Sequence, residues 1–213
     1  MTTIRIGTKA LSYWPYRFTT DHDADDLLRL FDKIVASGRQ VALMAHFSHP
    51  RELETRAVRQ AIERVKSTGM VIRCQAPVVR HVNDSAQVWA DMWRLQVRLG
   101  LVPYYMFVER NTGPKHYFEV PLARAYRIFH GAYRQLSGLA RTVRGPSMSA
   151  MPGKVQITGV TTVGGEKVFV LNVLQGRDPE WVGRVFFARF DSQAAWLTEL
   201  EPAFGEPEFV LEP

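Results

Sequence analysis

Four groups of residues have the types and spacing to do chemistry. His46 and His49 stand three apart in His46-Phe47-Ser48-His49-Pro50, a separation that sets two imidazoles on one side of a turn, where a metal could bridge them. No third ligand has an evident place, although His81 and His116 stand on neighbouring loops. The preferred reading is a pair that hydrogen-bonds a ligand or stiffens its loop, and no metal site is assigned. Lys154 follows Gly145-Pro146-Ser147-Met148-Ser149-Ala150-Met151-Pro152-Gly153. Small residues before a lysine let the backbone approach a ligand, and the amine could form a Schiff base; a merely solvated lysine is the plainer alternative. Cys74, at the end of the expected strand Met70 to Cys74, reads as a small core residue rather than a nucleophile. Arg141 and Arg144 could hold a phosphate or carboxylate, or form an ordinary surface pair.

The elements that must position these residues alternate. Ile4-Arg5-Ile6-Gly7 reads as a strand. Asp23 to Ser37 places Leu27, Leu28, Phe31, Ile34 and Val35 on one helical face, with Asp21 and Asp23 suited to the N-cap and Gly38 to the stop. Val41 to Ala45 is a short apolar strand of the kind covered on both faces. A helix through Val58, Ala61, Ile62 and Val65 follows. Met70 to Cys74 is then a strand, with a loop to Asp84. Val88 to Leu99 is a helix, Val102 to Val108 a strand, and Glu109 to Glu119 a polar loop. Pro121 begins another helix, and Leu139 to Val143 reads as a fifth strand. Five strands alternating with four helices predict an α/β fold with a parallel sheet or barrel. The chemistry of such folds sits on loops after the strands' carboxyl ends. Further on, Val155 to Val163 and Lys167 to Leu174 flank Gly164-Gly165 as a hairpin, and Phe186 to Phe190 adds a strand.

Composition narrows the classes. The chain has 213 residues, 46% apolar and 23% charged, which is the balance of a globular protein with a sizeable core. One cysteine excludes an internal disulfide, a cysteine-built zinc site and an iron–sulfur cluster. No stretch of about 18 apolar residues predicts a membrane span. The first residues lack the apolar core of a signal peptide, so a cytoplasmic location is expected. The net charge is +6, from 27 Lys+Arg against 21 Asp+Glu. The arginines are dispersed, which reads as a solvated surface rather than a nucleic-acid patch.

Taken in order, several segments resemble one family: Arg5-Ile6-Gly7-Thr8-Lys9, Trp14-Pro15-Tyr16-Arg17-Phe18, Ala45-His46-Phe47-Ser48-His49-Pro50-Arg51-Glu52, Gln75-Ala76-Pro77 through Asn83-Asp84, Val102-Pro103-Tyr104-Tyr105-Met106-Phe107, Ser137-Gly138-Leu139-Ala140 and Gly153-Lys154. Together they are similar to the lysine 2,3-aminomutases, a family of radical S-adenosylmethionine (SAM) enzymes, over roughly residues 4–158. The resemblance implies an isomerase built on an incomplete TIM-like (β/α) barrel. It also implies a [4Fe–4S] cluster that cleaves SAM to a deoxyadenosyl radical. That radical takes hydrogen from an amino-acid substrate held as an imine of pyridoxal phosphate, and the amino group moves to the adjacent carbon. By the same resemblance Lys154 is the pyridoxal phosphate lysine, and His46 and Gln75 lie on loops that contact SAM. A homo-oligomer like the family's is a further implication.

Two departures qualify it. The family's Cys-x(3)-Cys-x-x-Cys motif would precede Met1, so the first two barrel strands and the cluster are expected to be missing. This chain alone should then be inactive, with an N-terminal half supplying the cluster. A truncated gene product, one half of a split gene and a decayed paralogue all fit. The strand at Ile4 would be an exposed edge unless another chain covers it. The family's two aspartates for the substrate's terminal ammonium fall near Arg110 and at Ser147. Arginine for aspartate turns an attraction of about 4 kcal/mol, at an effective dielectric near 20, into a comparable repulsion. An acidic or neutral side chain therefore suits Arg110 better than lysine. Residues 1–144 read as a partial barrel holding only the later strands. Residues 145–213 read as the lysine loop and a β-rich C-terminal extension. The rival expectation is a non-catalytic basic module that binds an anionic ligand or RNA.

Overall fold

The computed structural model describes residues 2–110 and 113–209. It is an α/β protein whose eight strands follow chain order, β1 to β8, in the sheet. The chain divides into two compact units.

The first unit comprises Met1–Ala76, Gln87–Tyr104 and Gln135–Val143. Strand β1 (Thr3–Thr8) pairs in parallel with β2 (Gln40–His46), and β2 with β3 (Val71–Val78), in the register Leu43↔Ile72 and His46↔Gln75. A short helix α1 (Ala10–Tyr13) follows β1. Helix α2 (Ala24–Ala36) buries Ala24, Leu28 and Phe31, and α3 (Arg56–Lys66) buries Val58, Ala61, Ile62 and Val65. Both are the apolar stripes expected from a 3.6-residue period. Helix α4 (Ala86–Arg98) buries Trp89, Met92 and Trp93. Thr55 caps α3 by accepting from the Val58 amide. Asp23 is the N-cap residue of α2 as expected, but its carboxylate makes no capping bond: it pairs with Arg17 at 2.7 Å, and Asp21 accepts from the Trp14 indole. Strand β3 runs four residues past its expected end. Ile72, Cys74, Ala76 and Val78 all turn inward along it, and Pro77 costs only a ladder bond there.

The second unit comprises Pro77–Ala86, Tyr105–Arg134 and Arg144–Pro213. Strand β4 (Val102–Val108) leads into the loop that holds α5 (Lys115–Phe118), and α6 (Leu122–Tyr133) follows. The fifth strand is not Leu139 to Val143, where Gly138–Ala140 forms a 3-10 turn instead. It is β5 (Arg144–Ala150), in the stretch expected to be a loop. A run of Gly, Pro, Ser and Ala carries no strand signal. Its place is set by close backbone approach: a Cβ on Gly145 would lie 2.5 Å from the Met106 carbonyl oxygen. Strand β5 pairs in parallel with β4, then antiparallel with β6 (Gly153–Val163). Strands β7 (Glu166–Gly176) and β8 (Val185–Arg189) complete an antiparallel set. The β6–β7 turn is the expected Gly164-Gly165, with φ of 58° and 88°, as a type I′ turn requires. Met148, Val155, Ile157, Phe169, Leu171 and Phe186 make the core of this unit. Among the described residues no helix is long and apolar enough to cross a membrane.

Candidate functional site

Lys154 is the second residue of β6, directly after a two-residue turn at Met151-Pro152. Antiparallel partners share a face. Met148 and Val155 therefore point together into the core, while Ser147, Ser149, Lys154 and Gln156 point the other way. Phe107 pairs with Ser147 and so joins that second face, as does Tyr105 two residues before it. The Lys154 Nζ stands 4.0 Å from the Tyr105 ring centroid and 5.0 Å from that of Phe107. The two rings are stacked 5.2 Å apart. Cation–π attraction holds the half-buried amine against this aromatic wall. Gln156 donates to the Gly145 carbonyl at 3.1 Å. Asn172, opposite Gln156, has a buried Oδ1 with no hydrogen-bond partner among the described residues.

The first unit carries a second polar cluster, at the carboxyl ends of its parallel strands. His46 ends β2 and Gln75 lies beside it in register on β3, with Gln75 Nε2 2.9 Å from His46 Nε2. An amide nitrogen has no lone pair to offer, so it donates and the imidazole accepts. The ring is then neutral, with its proton on Nδ1. Burial is the main cause holding the His46 pKa below its usual value; the Lys9 charge adds to that and Glu52 opposes it. Lys9 lies 3.2 Å from Glu52 and 3.3 Å from the Ser48 hydroxyl. Glu52 in turn accepts from the Ser48 amide at 2.6 Å.

The candidates distribute as follows. His46 and Gln75 are brought together. His49 is not beside His46 as a ligand: its Nδ1 caps a 3-10 turn by accepting from the Arg51 amide at 3.2 Å. His81 packs on Tyr117, and His116 pairs with Glu119 at 3.1 Å. Among the described residues no group of three His, Cys, Asp or Glu could hold a metal ion. Cys74 is a core residue whose thiol pKa burial pushes upward. Ser147 is fully buried, its hydroxyl 3.4 Å from the Met106 carbonyl, and Arg110 is exposed two residues past β4. Arg141 and Arg144 are both exposed. Sequence reasoning left Lys9, Glu52, Tyr105 and Phe107 without roles, although all stand in the quoted segments. Asn172 carries no local signal at all.

The fold and these clusters define an α/β protein with a lysine-bearing polar sheet face in one unit and a His–Gln pair at strand ends in the other. No protein-family model matches the chain. It is 31% identical over 203 residues to a protein of Aquifex aeolicus provisionally named an L-lysine 2,3-aminomutase, covering 95% of this chain and 52% of that one. It is 29% identical to the L-lysine 2,3-aminomutase of Bacillus subtilis, over 64% of this chain and 27% of the other. With that of Clostridium subterminale it shares 26% identity, over 63% and 30%. By sequence the chain belongs with the lysine 2,3-aminomutases, as a counterpart of their C-terminal portion. It spans about half the length, or less, of these relatives. Among solved structures, a radical SAM methyltransferase from Sphaerobacter thermophilus gives a TM-score of 0.38 at 20% identity. It covers 55% of this chain and 37% of that one, a likeness too slight to bear on the fold.

Proposed function

We propose that this chain is the cofactor- and substrate-holding portion of an isomerase like lysine 2,3-aminomutase, one that moves an amino group between adjacent carbons of an amino acid. The observation that carries this reading is Lys154, half-buried with its amine 4.0 Å from the Tyr105 ring on a face shared with Phe107, Ser147, Ser149 and Gln156. In the same reading, residues 1–144 are the later strands of a (β/α) barrel and residues 145–213 the lysine hairpin with a β extension.

The residues present suit pyridoxal phosphate. A primary amine pinned beside two stacked rings is a place for an aromatic aldehyde, and the partnerless Asn172 Oδ1 offers an acceptor to a ligand's donor. Lys154 would hold the cofactor, with Tyr105 and Phe107 as its apolar wall. When bound, the cofactor supplies an electron sink for the reacting carbons. The aromatic wall excludes water and fixes the amine's position, which is the protein's share of the chemistry. His46 and Gln75 are the pair assigned to SAM. The neutral imidazole keeps its Nδ1 proton as a donor, and the Gln75 amide oxygen remains as an acceptor.

A [4Fe–4S] cluster does not fit this chain. It is held by several thiolates, whereas the sequence has one cysteine, buried and with its thiol pKa raised. In this reading the thiolates that hold the cluster lie outside these 213 residues, which by themselves turn nothing over. Arg110 and Ser147 in place of acids favour a substrate whose side chain is neutral or acidic.

Titration with pyridoxal phosphate tests the assignment. Absorbance near the visible edge is expected for the native chain and not for Lys154→Ala. Equal uptake by both would overturn it.

A further inference from the structure

A cavity lies in the first unit, towards the opposite ends of β2 and β3 from His46 and Gln75. Its volume is about 280 Å³, and Arg5, Gln40, Ala42, Val71, Arg73 and Tyr104 line it. The register explains why these residues meet. Arg5 pairs with Ala42 and Ala42 with Val71, so the three share a face, and Arg73 returns to that face two residues later. His46 stands four residues beyond Ala42 on β2, roughly 13 Å along the strand at about 3.3 Å per residue, and Gln75 two residues beyond Arg73 on β3, about 7 Å.

Faces of parallel sheets are usually filled by Val, Ile and Leu. Two arginines on one such face therefore need a reason. Among the described residues neither has an acidic partner at ion-pair distance, unlike Arg17, Arg64, Arg124 and Arg189. The Arg73 guanidinium stacks 5.0 Å from the Tyr104 ring centroid. Stacking holds the fork's plane while its edge N–H groups stay available. Gln40 adds an amide at the rim.

We infer that this cavity binds the phosphate group of a small ligand. A phosphate monoester carries about −1.5 to −2 at neutral pH, which balances two guanidiniums, whereas one carboxylate leaves a positive charge over. The volume is near the small end of ligand pockets, about 300–1,000 Å³, and suits a metabolite rather than a polymer. The site uses none of His46, Gln75 or Lys154, so it stands apart from the aminomutase reading.

The test is phosphorus NMR of inorganic phosphate added to the purified chain in a phosphate-free buffer at physiological salt. The phosphate line should broaden and shift saturably with the native chain. Arg5→Gln and Arg73→Gln should each weaken binding at least about tenfold, and Arg73→Lys should fall between. Arg189→Gln, outside the cavity on β8, should bind as the native chain does. Circular dichroism checks the fold of each variant, and if Arg73→Gln unfolds, the exposed Arg5→Gln decides alone. No saturable phosphate binding, or equal binding by the native chain and both glutamine variants, would overturn the inference. Displacement by succinate at concentrations below those of phosphate would overturn the choice of phosphate. The experiment contains no pyridoxal phosphate, so its failure leaves the role of Lys154 untouched.

Discussion

Gly153→Ala tests the hairpin that positions Lys154. Gly153 has a φ of 138°, and a Cβ there would lie 2.0 Å from the Gln175 carbonyl oxygen. The neighbour is backbone on the paired strand, so no side chain can swing aside. Reaching the 3.0 Å that real Cβ contacts respect needs a shift of about 1 Å. A side chain at this φ costs roughly 1–3 kcal/mol, and forced overpacking adds a similar 1–3 kcal/mol. The expected loss is about 2–6 kcal/mol out of a total stability of roughly 5–15. Gly164→Ala is the internal control. Its φ is 58° with nothing within 4 Å, so only the left-handed penalty of about 1–2 kcal/mol applies. Urea unfolding of the two variants measures the difference. Pyridoxal phosphate titration should show that Gly153→Ala also weakens uptake, because the shift is passed to the adjacent Lys154. Equal losses in the two variants would refute the reasoning.

Asn83 is 1% exposed, accepts from the Val79 amide at 2.7 Å and donates to the Pro77 carbonyl at 3.0 Å. Asn83→Ala leaves both part-buried backbone groups without this partner, at about 1–2 kcal/mol each. The melting temperature should fall by roughly 5–15 °C; a fall under about 2 °C would contradict this. His46 supplies a pH signature. Its pKa is lowered in the folded state, so between that value and the unfolded value near 6.5 the unfolded chain binds more protons. Stability should drop as pH falls through about 6.5 and level off below the folded pKa. His46→Gln should remove this component, as urea midpoints from about pH 7.5 to 5 would reveal, and parallel profiles for the two proteins would contradict it.

Much of the fold is legible because it is periodic. Ala24, Leu28 and Phe31 in α2, and Val58, Ala61, Ile62 and Val65 in α3, mark their buried faces by spacing alone, and Gly164-Gly165 announces its turn. Strand β5 is not legible. It is made of small residues and Pro146, and only the approach of Met106 to Gly145 explains it. The sites divide the same way. Lys154 stands out by residue type and local pattern, whereas Gln75 beside His46 is singled out only by the family resemblance. The Tyr105–Phe107 wall and Asn172 reach the Lys154 face only through cross-strand register. Register depends on partners distant in the chain and leaves no local trace. The resembling segments also carry structural duties that motif reading overlooks. Asn83 ties down a turn, Asp84 pairs with Arg124 at 2.6 Å, and Glu52 closes a capping box with His49.

In the proposed function Lys154 is the residue that holds pyridoxal phosphate. Borohydride reduction of the chain after incubation with the cofactor, followed by mass spectrometry of its peptides, tests this directly. A single cofactor adduct is expected on the peptide carrying Lys154, with none on the same peptide from Lys154→Arg. Adducts spread over surface lysines, or a single adduct on another lysine, would contradict it.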